Sequence, residues 1–315
     1  MPKLKRKSKL PVRGYDVLGL GCCAVDDLLY VQDYPAPDGK AEVLRRERHC
    51  GGLTATALVA AARLGARCAY AGTLGEDDDS DFVRQTLKRE GIDIRHVVHR
   101  EGTGPVRSVI VVDEIRGTRN IFYHTEHTVG ADAARPAKRI ILSAGVLLVD
   151  RFGLRGMIRA ARLARGAGIP VVGDFESSGL PRFRELLALT DHLILAEKFA
   201  GQLAGASSAR DAAMKLWKKD RCAVVITCGA RGGWFYEGPP NSPQSFAAFR
   251  VPTVDTTGCG DVFHGAYAVG LAEGMKLRER IRFASAAASL KATQPGGQSG
   301  IPTRAALERF LKGPG

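Results

Sequence analysis

A chain of 315 residues, 45% hydrophobic and 25% charged, has the composition of a soluble globular protein and the length for one large α/β domain or two modest ones. Its formal net charge is +13, unevenly spread: Lys3, Lys5, Arg6, Lys7 and Lys9 crowd the first nine residues with no acid among them. No apolar run reaches membrane-spanning length and the start of the chain lacks the apolar core of a secretion signal, so no membrane partner is expected and the cytoplasm is the expected location.

Residues 1–13 read as a basic disordered tail. Such a run can dock on nucleic acid, but the remaining positive charge lies on arginine-rich helical segments without interleaved aromatics, and no nucleic-acid partner is expected. The seven cysteines (Cys22, Cys23, Cys50, Cys68, Cys222, Cys228 and Cys259) are odd in number and show no C-x-x-C spacing. Several sit in apolar runs, as reduced core thiols do.

Tyr15 to Cys23 is apolar and bounded by glycine, the pattern of a buried strand. Its Gly19-x-Gly21 invites a dinucleotide-binding reading, but no helix pattern follows, and Pro35 and Pro37 interrupt what does. Asp26 and Asp27 stand just past the strand's carboxyl end, where open α/β sheets bind ligands. Asp26 is either a ligand contact or a solvated loop acid. Gly51-Gly52 leads into LTATALVAAARLG, a buried helix stopped by Gly65. That glycine pair is either a turn or an opening toward the helix N-terminus. A short strand over 68–72 and a helix over 79–90 come next. Residues 94–124 change character: RSVIVVDEIRGTRNIFYH reads as two β segments joined at Arg116-Gly117. With the extended stretch 31–47 they form either a small lid over a site or an edge hairpin.

From Ile140 onward strands alternate with helices. Strand patterns begin at Ile141, Ile169, Asp191 and Cys222, with helices at 154–167, 197–203 and 208–219 between them. Shorter β pieces lie at 230–236 and 245–251, and two or three helices close the chain. This alternation argues a mainly parallel sheet covered by helices.

No G-x-x-x-x-G-K-[ST], H-E-x-x-H or G-x-S-x-G occurs. His124 and His127 are three apart in a β or loop context and suit a surface or lid better than a metal. The stretch with chemical content is VDTTGCGDVFHGAYA, Val254 to Ala268. Small residues allow close backbone approach, and a helix start with free N–H groups attracts anions. Asp261 there can act as a proton acceptor for an attacking hydroxyl, or simply as an N-cap. Two further glycine-rich stretches can offer backbone to a nucleotide: Thr227-x-Gly229 with Gly232-Gly233, and KATQPGGQSGIP from Lys291 to Pro302.

Taken together these stretches resemble the ribokinase (PfkB) family of sugar kinases over roughly residues 14–311. VDTTGCGDVFHGAYA resembles its C-terminal signature, and GGLTATALVAAARLG more loosely the N-terminal one. Gly21 to Asp26, the T-x-G strand end and the PGGxxGIP stretch agree in order. TATALVAAARLGA, DTTGCGDVFHGA and RFASAAASLKATQPGGQSGIP look nearest the sulfofructose kinase branch. The resemblance implies a ribokinase-like three-layer fold over 14–315, with a mainly parallel central sheet and a small β-sheet lid from about 31–47 and 94–124. It also implies transfer of the γ-phosphoryl group of ATP to a sugar hydroxyl, with magnesium.

Carried onto matching positions, Asp261 would be the base, and the backbone N–H groups of Gly258, Cys259 and Gly260 would hold the phosphoryl charge. Asp26, Gly51, Gly52 and Thr56 would line the sugar pocket. Thr227, Gly229, Gly232 and Gly297 would face the nucleotide. Asp255 and Thr257 would lie near a monovalent cation, K+. The lid would cover the sugar and form a homodimer contact. Three positions depart from the family pattern. Thr56 replaces an Asn, and Ala196-Glu197-Lys198-Phe199 replaces N-x-x-E, leaving water or Glu197 to place magnesium. Cys259 replaces an Ala, and at a helix start it is expected as a thiolate. The altered N-x-x-E also leaves open a non-catalytic protein of the same fold that senses a sugar or nucleotide. Lys40, the basic residue of the 38–42 stretch, is either a contact for an anionic group on the sugar or a solvated turn lysine.

Overall fold

The computed structural model describes residues 14–313; the expected basic tail at 1–13 lies outside them. In chain order the strands are β1 (Tyr15–Leu20), β2 (Ala24–Val31), β3 (Val43–Gly51), β4 (Cys68–Tyr70), β5 (Gly72–Leu74), β6 (Val98–His99), β7 (Val106–Asp113) and β8 (Thr118–His124). They continue with β9 (Gly130–Ala131), β10 (Ala144–Val149), β11 (Val171–Asp174), β12 (His192–Ala196), β13 (Ala223–Thr227), β14 (Gly233–Tyr236) and β15 (Gln244–Phe246). The helices are α1 (Leu53–Arg63), α2 (Asp78–Arg89), α3 (Lys138–Ile141), α4 (Leu154–Gly166), α5 (Phe183–Ala188), α6 (Glu197–Ala204), α7 (Ala209–Leu216), α8 (Cys259–Ala272), α9 (Leu277–Lys291) and α10 (Arg304–Lys312).

The central sheet runs β15-β14-β13-β12-β11-β10-β1-β4. From β4 to β13 every pairing is parallel, and β14 and β15 close one edge antiparallel. Alternate residues of each strand serve opposite faces. Val17, Val146, Val172, Ile194 and Val225 pack with α1, α8 and α9, while Leu18, Leu147, Val171, Leu193 and Val224 pack with α4, α5 and α7. Both faces are therefore buried, which is why these strands are nearly continuous apolar runs. The result is the expected three-layer sandwich.

Two details place the site. The chain leaves β1 for β4 on one side and returns on the other at β10, so β1 and β10 flank a switch point where parallel sheets open a crevice at the carboxyl ends. Helices α1 and α8 approach very closely: a Cβ at Gly265 would stand 2.1 Å from the Ala57 carbonyl oxygen. The small residues of both motifs thus have a packing role.

A second sheet, β3-β2-β7-β8, is separate from the central one and holds most of the segments expected to form a lid. Its boundaries differ from the expected ones. It begins at Ala24, so Asp26 is a strand residue rather than a loop acid, and it extends to Gly51. Residues 98–99 belong to a third, three-stranded sheet with β5 and β9. The misplacement has a physical cause: β2 pairs with the distant β7 in parallel, and no local turn announces such a pairing. The hairpin expected at Arg116-Gly117 is present, with Gly117 at φ 62°. No helix of the described residues is long and apolar enough to cross a membrane.

Candidate active site

The stretch 254–268 folds as expected into a glycine turn and a helix, with one change of register. Gly258, at φ 75°, is the N-cap of α8, and Asp261 is the helix's third residue rather than its cap. Only glycine adopts this left-handed conformation without cost. It is also packed: a Cβ on Gly258 would lie 2.6 Å from the Gly297 carbonyl oxygen, so the second glycine loop sits directly on the first. Of the three amides expected to form an anion hole, one is engaged. The Cys259 amide turns back to the Thr256 carbonyl at 3.2 Å, while those of Gly258, Gly260 and Asp261 have no partner among the described residues. Free amides at a helix start are where an anion binds.

The Asp261 carboxyl accepts no hydrogen bond from the described residues, although acids surround it. Burial raises its pKa well above the carboxylate range, and Asp174, Glu176, Asp26 and Asp150 push in the same direction. Asp174 ends β11 and is 6% exposed. Burial, Glu176 and Asp150 hold its pKa high as well. Its Oδ2 lies 3.2 Å from His264 Nδ1, but that nitrogen is 2.8 Å from the Gly260 carbonyl, and Oδ2 is left without a hydrogen-bond donor. Asp150, just past β10, is fully buried and raised to about 6 by burial, partly offset by donors from Cys22 N (2.7 Å), Phe152 N (2.7 Å) and Thr54 Oγ1 (2.9 Å). Asp150 thereby ties the two strands of the switch point together.

Asp26 comes to this cluster from the lid. Its carboxylate lies against Gly51, where a Cβ would stand 2.2 Å from Oδ2. Burial raises its pKa, countered by Ser108 and His49. Gly52, at φ 93°, caps α1 and passes within 2.7 Å of the Cys23 backbone, measured from where its Cβ would be. Thr56 is buried, its hydroxyl accepting from Gln298 Nε2 at 3.2 Å, so it braces the 294–300 loop rather than facing an open pocket. Lys40 is exposed on the β2–β3 loop, and no hydrogen bond or ion pair of the described residues engages it.

Among the residues expected to face a nucleotide, Thr227 ends β13 and Gly229, at φ 58°, opens a single 3₁₀ turn over 229–231. A Cβ on Gly232 would collide with the Phe246 carbonyl at 1.9 Å, and Gly297 lies beside Thr257. Glu197, which stands where the family carries its magnesium motif, is paired with Arg231.

Asp255, unlike Asp26, Asp150, Asp174 and Asp261, has a pKa that falls. Burial raises it, but the Thr257 amide and hydroxyl, Lys291 and the Gly296 amide outweigh that. Its Oδ1 accepts from Thr257 N (2.8 Å), Thr257 Oγ1 (2.7 Å) and, across from the lid, Arg119 Nη1 (3.3 Å). Cys259 does not fit the thiolate expectation. Burial pushes its thiol up, Asp255 and Asp261 add to that, and Lys291 and Arg119 offset only part. The helix dipole is outweighed by desolvation and two neighbouring acids.

Asp150, Asp174, Lys291 and Arg119 were not anticipated from the sequence. The two acids had a legible signal, an aspartate directly ending an apolar strand (LLVD, VVGD). The two cations had none.

A sheet with a switch-point crevice, free amides at a helix start, an acid beside them and a second small sheet nearby make up the candidate site. A profile of the pfkB family carbohydrate kinases matches residues 18–304, and the chain belongs to that family. It is an ATP-dependent carbohydrate kinase. A ribokinase of Haemophilus influenzae is 30% identical over 93% of this chain and 97% of its own. Ribokinase from Thermotoga maritima superposes with a TM-score of 0.83 at 26% identity, covering 95% of this chain and all of that one. Arabidopsis thaliana ribokinase, crystallised with ribose and ATP, superposes at 0.84 with 24% identity over 95% and 99% of the two chains. The ribokinase-like fold is thereby established.

Proposed function

We propose that the protein transfers the γ-phosphoryl group of ATP to a hydroxyl of a sugar held between the lid and the carboxyl ends of β1 and β10, with Asp261 as base. One observation carries the assignment: an acid with no donor of its own stands at the third position of a helix at whose start the amides of Gly258, Gly260 and Asp261 have no partner among the described residues. The sugar hydroxyl gives its proton to Asp261 as its oxygen attacks phosphorus. The amides of Gly258, Gly260 and Asp261 hold the equatorial oxygens as charge develops on them. Asp26, whose carboxylate occupies the space beside Gly51, accepts bonds from other sugar hydroxyls. Thr227, Gly229, Gly232 and Gly297 face the nucleotide. The arrangement is electrostatic preorganisation more than covalent chemistry, as phosphoryl transfer requires.

Magnesium, when bound with ATP, neutralises phosphate charge. The buried Asp174 Oδ2, which lacks a donor, fits a hard cation or a water on it, and Glu176 stands close enough to interact with it. These two acids would take the role of the missing N-x-x-E, since Glu197 is occupied by Arg231. The likeness to the sulfofructose kinase branch and the unengaged Lys40 support a substrate with an anionic group. The cytoplasm is the proposed location.

The test is ADP release measured over ketoses, aldoses, nucleosides and sugar acids, sulfofructose among them. Turnover confined to one sugar class and dependent on magnesium is expected. Binding of sugar and nucleotide with no turnover across the panel would replace this reading with that of a sensor on the same fold.

We also propose a homodimer through the lid. Val43, Leu44, Val109, Ile121, Phe122 and Tyr123 on its strands are 42–66% exposed, more apolar surface than a monomer ordinarily leaves open on one small sheet. Sedimentation should show a dimer that Ile121→Glu converts to monomer; a monomeric wild-type protein would remove the proposal.

A further inference from the structure

Lys291 is the last residue of α9, the usual place for a cation that offsets the helix dipole. An ordinary lysine there stays in water. Lys291 is 0% exposed, and lysine is almost never fully buried without a partner. Its Nζ donates to the Asp255 backbone carbonyl at 2.8 Å, and its charge acts on Cys259, Asp255 and Asp261, the residues of the phosphoryl turn. The same junction is fixed from the backbone. Val254 N and Asp255 N both donate to the Ala292 carbonyl, at 2.8 and 3.1 Å, and Gly296 N donates to Asp255 Oδ2 at 2.9 Å.

This is where the sequence suggested a monovalent cation, at Asp255 and Thr257. The residues present do not fit one. Asp255 Oδ1 already takes two donors from Thr257 and a guanidinium from Arg119, Oδ2 takes Gly296 N, and the carbonyl takes an ammonium. A potassium ion would have to displace these donors and settle beside two fixed positive charges. Arg119 is partly screened by solvent, but Lys291 is fully buried, where like charges repel more strongly than in water.

We infer that the Lys291 ammonium does the work of a monovalent cation in this chain: tethered through α9, it holds the 255–260 turn so that its free amides face the phosphoryl group. The enzyme carries its own activating cation and does not need potassium. Lys291 is a positioning residue, acting through Asp255 rather than on substrate.

The test compares wild type, Lys291→Ala and Lys291→Met, each assayed with magnesium ATP and each melted, in tetramethylammonium buffer and in potassium, ammonium or sodium. Wild-type turnover should be the same in all four. Lys291→Ala should lose about 10²-fold in kcat in tetramethylammonium, as expected for a displaced catalytic turn. Potassium or ammonium should restore part of that loss and sodium less. Lys291→Met, which fills the space without charge, should lose as much and recover nothing. Potassium should raise the melting temperature of Lys291→Ala and leave that of wild type unchanged. Turnover presupposes the kinase reading and melting does not, so failure of that reading silences the first comparison and leaves the second. Stimulation of the wild type by potassium of about tenfold or more, or a potassium-dependent melting shift in it, overturns the inference even if neither variant folds. So does a folded Lys291→Ala that responds to no cation.

Discussion

Asp261→Asn should lower kcat by at least about 10²-fold, the usual contribution of a general base, while nucleotide affinity stays close to wild type. The substitution keeps size and helix position and removes only the ability to take a proton. Because burial and the neighbouring acids raise the Asp261 pKa, the carboxyl is protonated and inactive at a pH where an ordinary aspartate would be ionised. Activity must then rise as pH climbs through that raised value, so the acid limb of kcat/KM should lie above the normal carboxylate range. The limb should be missing from the residual activity of Asp261→Asn. Near wild-type turnover in that variant would rule Asp261 out as the base.

Gly258→Ala should be nearly as damaging, for a different reason. A left-handed non-glycine residue costs about 1–2 kcal/mol, and its Cβ would be forced to 2.6 Å from the Gly297 carbonyl, a backbone atom with no rotamer to escape into. Thermal melting should therefore fall by a few degrees, in line with about 2–4 °C per kcal/mol for a chain of moderate size. The turn that presents the amides should move, and kcat should drop by about 10²-fold, the sensitivity expected of a site displaced by an ångström. Gly260→Ala is the control for stability. Nothing lies within 4 Å of a Cβ there and its φ is not positive, so melting should hold or rise slightly, as for a glycine replaced inside a helix. Equal melting losses in both variants would mean that backbone strain at Gly258 is not what shapes the turn.

Much of the site was legible because its chemistry is local. The glycine turn, the acid three residues into a helix and the second glycine loop are contiguous motifs, and what they need is small residues and free amides at fixed offsets. Thr56 shows the limit of carrying a family position across. Its place in the motif suggested a sugar contact, whereas its hydroxyl is spent on Gln298, 242 residues away. Cys259 shows another limit. The helix dipole argued for a thiolate, but the acids that outvote it come partly from elsewhere in the turn and the cost of burial comes from the whole fold.

By itself the sequence determined the three-layer architecture, through alternating apolar strands and helices, and the identity of the proposed base, through its glycine-flanked helix start. Periodicity and turn chemistry are short-range, so one chain displays them without help. Tertiary structure alone decided where the lid begins, since β2 pairs with β7 across some eighty residues in register Asp26 to Ser108, and parallel partners need no connecting turn. It alone decided the electrostatics: Asp26, Asp150, Asp174 and Asp261 come from four separate elements, and desolvation exists only once those elements close together. It alone brought Lys291 and Arg119 onto Asp255, turning a cation site expected from the motif into one that the chain fills from within.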